Sequence, residues 1–114
     1  ANLFRYFSQE KGHASRFDCH AFVCCLLDVT CNYVEPNFDY EDRQPEAGEA
    51  VVICNNDVMP QAIKHWAIYL GFGIYLSKFG ENTDTTDSHV AVMDLNGMHH
   101  LYETEVAYTA IPKT

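Results

Sequence analysis

A chain of 114 residues holds one domain with one core, and a hydrophobic content of 47%, with seven Phe, seven Tyr and one Trp, excludes a disordered tail. A net charge of −9, from 16 acidic and 7 basic residues, argues against nucleic acid and anionic membranes as partners. No apolar run approaches the roughly 20 residues that cross a bilayer, and no segment has the pattern of a signal peptide.

In chain order, Leu3, Phe4 and Phe7 form one face of a short helix. Gly12 and His13 break it, and Ser15 or Asp18 caps the next helix. That helix runs over about 18–30 and is apolar on nearly every side, so it belongs in the interior. Residues 32–49 read as a solvated acidic connection anchored by Tyr33, Phe38 and Tyr40. Ala50 to Cys54 is a short buried strand. His65–Leu70, the turn Gly71-Phe72-Gly73 and Ile74–Phe79 make a hairpin. After a polar loop over 80–88, Val90–Leu95 and Met98–Tyr102 flank Asn96-Gly97, the signature of a second hairpin. Residues 104–111 add an edge strand. Helices followed by about five antiparallel strands predict an α+β fold, one domain over 1–114.

Two residues carry the chemistry. Cys19 stands at the start of the buried helix, where unpaired N–H groups and the positive end of the macrodipole favour the thiolate. His65 opens the apolar strand and is the candidate base. The remaining cysteines are Cys24, Cys25, Cys31 and Cys54. An odd, clustered set is unlike a secreted disulfide framework, which points to a reducing compartment. That compartment is the cytoplasm, reached directly or after delivery as an effector.

Asp18-Cys19-His20-Ala21-Phe22-Val23 resembles the D-C-S-G-F-V motif of NlpC-like cell-wall peptidases, within the papain-like cysteine, histidine-dependent amidohydrolases. Pro45 to Val52 is similar to their P-G-D-L-V segment, and His65 to Gly73 to their H-V-G-I-Y-L-G-N-G hairpin. The resemblance covers roughly residues 15–80, with its three parts in the family's order. It implies a papain-like fold with a helix packed on an antiparallel sheet. It also implies Cys19 as nucleophile, His65 as general base and acid, and Ser77 at the position of the residue that orients the imidazole. The family has His, Asn or Gln there. A serine holds the ring less firmly, which leaves a dyad or an orienting group from elsewhere. His20 replaces the usual small residue after the nucleophile and is placed to fill the pocket or touch the oxyanion, a departure that weighs against a muropeptide substrate. The His-Trp-Ala-Ile-Tyr stretch also resembles lecithin-retinol acyltransferase relatives, but those place histidine before cysteine.

The expected function is a thiol hydrolase that cleaves an amide or peptide bond through a thioester. The alternatives are a catalytically silent papain-like binding module, and an acyltransferase or deamidase on the same dyad. No cofactor is expected. On strands His99 and His100 would point to opposite faces, which disfavours zinc. Asp84, Asp87 and Asp94 match no calcium loop, and no glycine-rich phosphate loop is present.

Overall fold

The computed structural model describes residues 19–30, 37–55, 63–79 and 89–113. The early helix around Leu3, the caps at Ser15 and Asp18, Cys31, and the loop over 80–88 lie outside them. In chain order the elements are α1 (Cys19–Leu27), β1 (Phe38–Glu41), β2 (Ala50–Cys54), β3 (Ile63–Gly71), β4 (Ile74–Phe79), β5 (His89–Asp94), α2 (Leu95–Tyr102) and β6 (Val106–Pro112). The fold is α+β. Its strands form one antiparallel sheet of six, in the order β1-β6-β2-β3-β4-β5. Among the described residues no helix is long and apolar enough to cross a membrane.

The sheet separates two apolar layers. On one face α1 buries Phe22, Val23 and Leu26 against Val52, Trp66, Ile68 and Leu76. On the other, α2 sets Met98 against Val51, Ile53, Ala67 and Tyr75. β2 is buried along its whole length, because its alternate side chains feed both layers. This is why Ala50 to Cys54 reads as a continuous apolar run.

α1 ends at Asp28 in the left-handed region (φ 58), where the Val29 amide reaches the Cys24 carbonyl at 2.9 Å and the Asp28 amide that of Cys25 at 3.3 Å. This is a Schellman cap built without glycine. The β3–β4 turn has positive φ at both Phe72 and Gly73, the geometry whose twist matches a two-residue hairpin.

Five sequence expectations change. The second hairpin is not there: Leu95 to Tyr102 is helical. The Asp94 carboxylate accepts from the Gly97 amide at 2.8 Å, so Asn96-Gly97 lies in a capped first turn instead of a β-turn. Leu95, Met98 and Tyr102, spaced i, i+3, i+7, then face the core together. His99 and His100 are therefore helical neighbours, not opposite sides of a strand. The last strand is no edge, because β6 pairs with β2 on one side and β1 on the other. The acidic connection over 32–49 contains β1, in which Phe38 is buried and Asp39 exposed. With β1 included the sheet has six strands among the described residues, against the about five expected.

Candidate active site

A bulge at the start of β3 directs the first candidate side chain. Ile53 pairs with His65 but Cys54 pairs with Ile63, so Lys64 is an extra residue in the ladder. Ile63 can then pack in the α1 layer while His65, two residues on, lies on the α2 face. Its ring is 1% exposed. Burial pushes the His65 pKa down to about 4, so the imidazole is neutral at pH 7.

His65 and Ser77 are brought together. His65 Nε2 and Ser77 Oγ are 2.9 Å apart in a fully buried setting. Ser77 is therefore an interior group. One face of the imidazole lies against the Tyr102 ring, with centroids 4.1 Å apart and planes 16° apart.

Cys19 is the first residue of α1, is partly exposed, and packs at the edge of the α1 layer. The His20 ring is buried, 4.5 Å from the Trp66 ring and edge-on to Phe38 at 6.4 Å. Trp66 follows His65 in β3, so this contact brings the helix N-terminus to the end of the strand that carries His65. His20 is thus an anchor in the aromatic layer. Tyr102 stacks on His65 from the α2 side. Its hydroxyl pKa is pushed up to about 12, first by burial and then by the charge a Cys19 thiolate would place nearby. Tyr102 is in contact with one candidate residue, His65, and a sequence reading that took it for strand had no reason to select it.

The described cysteines, Cys19, Cys24, Cys25 and Cys54, form no disulfide. Cys24, Cys25 and Cys54 are buried in the α1 layer as small apolar residues. Among the described residues no group of three or more His, Cys, Asp or Glu side chains is arranged to hold a metal ion. A pocket of about 290 Å³ lies on the α2 face, lined by Val51, Tyr75, Leu95, Thr109 and the β1–β2 loop. It adjoins the first residue of α2, whereas His65 stacks on the last, so the pocket is not the space beside the imidazole.

Chemically, the arrangement offers a thiol at a helix N-terminus, a neutral imidazole and a hydroxyl that engages one ring nitrogen. No family model matches the chain, and no curated protein and no solved structure matches it.

Proposed function

We propose that this chain is a thiol hydrolase of the papain-like, NlpC-resembling kind, acting on an amide or peptide bond. The observation that carries the reading is the buried 2.9 Å contact between His65 Nε2 and Ser77 Oγ. With Nε2–H donating to Ser77, the ring takes the tautomer whose Nδ1 lone pair can accept a proton. A neutral ring suits a general base. Once the thiolate forms, its charge stabilises the imidazolium and offsets the burial that holds the pKa low.

In this mechanism Nδ1 of His65 takes the Cys19 proton and the sulfur attacks the carbonyl carbon. The oxyanion is met at the start of α1, where the positive end of the helix dipole favours negative charge. The C–N bond breaks, His65 returns its proton to the departing amine, and a thioester remains. Water, deprotonated by the same ring, releases the acid and restores the thiol. An amine or alcohol in place of water would give acyl transfer, and product mass separates the two.

Cys19→Ala is expected to abolish turnover on a panel of peptide and amide substrates, a loss of about 10³-fold or more. Selective alkylation of Cys19 alone is a weak test, since Cys24, Cys25 and Cys54 are buried. The informative measurement is the rate of Cys19 alkylation by iodoacetamide in His65→Gln. A fall of about tenfold or more supports the dyad, and an unchanged rate removes it.

A further inference from the structure

We infer that Tyr102 is a positioning residue for His65, fixing the plane of the imidazole by stacking on it where Ser77 alone fixes only one point of the ring. The inference rests on the thiol-hydrolase reading and extends it. A histidine side chain turns easily about its outer torsion, whose energy wells are broad. The bond to Ser77 fixes the position of Nε2 and does not by itself set the plane of the ring. An aromatic face 4.1 Å away and within 16° of parallel sets that plane.

The stacking ring is itself held rigidly. Tyr102 is the last residue of α2, and Glu103 closes the helix in the left-handed region (φ 54), with the Thr104 amide on the His99 carbonyl at 2.9 Å. The His99 Nδ1–Thr104 Oγ1 contact of 2.7 Å staples the same turn. At the other end of α2, the Asp94 cap and buried Met98 hold the helix on the sheet. A short neutral hydroxyl and a clamped aromatic ring together supply the orientation that one firmer hydrogen-bonding residue would give.

The test is the rate of Cys19 alkylation by iodoacetamide in the full chain, read beside the ¹⁵N shifts of the His65 ring. Tyr102→Phe keeps the aromatic face and should stay within about threefold of the parent rate, whereas Tyr102→Leu should lose about tenfold or more and show mixed His65 tautomers. Tyr102→Met, which keeps apolar volume without a ring face, replaces the Leu variant if that chain does not fold. A parent-like rate in the Leu or Met variant overturns the inference. So does a loss in Phe as large as in Leu, because the hydroxyl and not the face would then matter. If His65→Gln also leaves the rate unchanged, the dyad itself fails. If His65→Gln slows the reaction but the Leu and Met variants do not, the dyad stands and only the clamp is lost.

Discussion

The two faces of the sheet are built to different standards. On the α1 face, Phe22, Val23, Cys24 and Cys25 of the helix pack with Trp66, Ile68 and Cys54, and the one helix imidazole, His20, lies buried against Trp66. The α2 face is smaller and holds a buried imidazole, a buried hydroxyl, a tyrosine stack and an open pocket. One strand feeds both: Trp66 anchors the first face and His65 equips the second. The larger apolar layer thus lies where α1 docks. The buried His65–Ser77 pair lies on the other face, where its desolvation carries a cost that the mutual contact offsets.

Substitutions should separate the faces, and the largest effect belongs to the α1 side. Trp66→Ala removes the ring that touches His20, Phe38 and Tyr40, and should cost about 3–5 kcal/mol in urea unfolding. If it costs under about 1 kcal/mol, the aromatic layer is not what holds the N-terminus of α1.

Next comes the pH response of the α2 side. His65 binds a proton near pH 6.5 when unfolded but only near pH 4 when folded. Between those values the unfolded chain binds more protons, so this contribution is fully present above pH 6.5 and is lost as pH falls toward 4. The loss is roughly 3 kcal/mol. His99, whose pKa burial also lowers, acts in the same direction. Unfolding free energies at pH 7 and pH 4 should differ by much less in His65→Gln than in the parent.

Ser77→Ala should cost about 1–3 kcal/mol, because it takes away the hydroxyl that meets a buried ring nitrogen. It should also slow Cys19 alkylation. A Ser77→Ala chain with parent stability and parent reactivity would mean that the contact neither holds the ring nor selects its tautomer. The smallest effect is at the cap. Asp94→Ala should cost about 1 kcal/mol, and Asp94→Asn should restore most of it. Should the Ala variant cost nothing, α2 is held by Met98 and Leu95 alone.

Where periodicity and burial agree, the fold was legible in the sequence. α1 has no polar face and must be interior, and β2 is apolar at every position because both its faces are covered. The β3–β4 turn is legible because Gly73 supplies one of the two positive φ values it needs. The α2 helix was misread because Asn-Gly between apolar runs is a strong hairpin signal. The competing signal, Asp94 three residues before Gly97 with Leu95, Met98 and Tyr102 on one helical face, was present and outweighed it. β1 was hidden among acidic residues, although Phe38, Asp39, Tyr40 and Glu41 alternate as a half-buried strand should.

What the sequence by itself determined is local. It specified which segments are apolar, where chains must turn, and that a cysteine and a histidine each sit near the start of a buried element, since these follow from side-chain period and backbone preference. The tertiary structure alone decided that β6 inserts between β1 and β2, that a bulge at Lys64 sends His65 to the α2 face, and that Ser77 and Tyr102 close on its ring. Those contacts join residues far apart along the chain. Their free energy depends on which faces meet across the sheet, and no local pattern of residues encodes that.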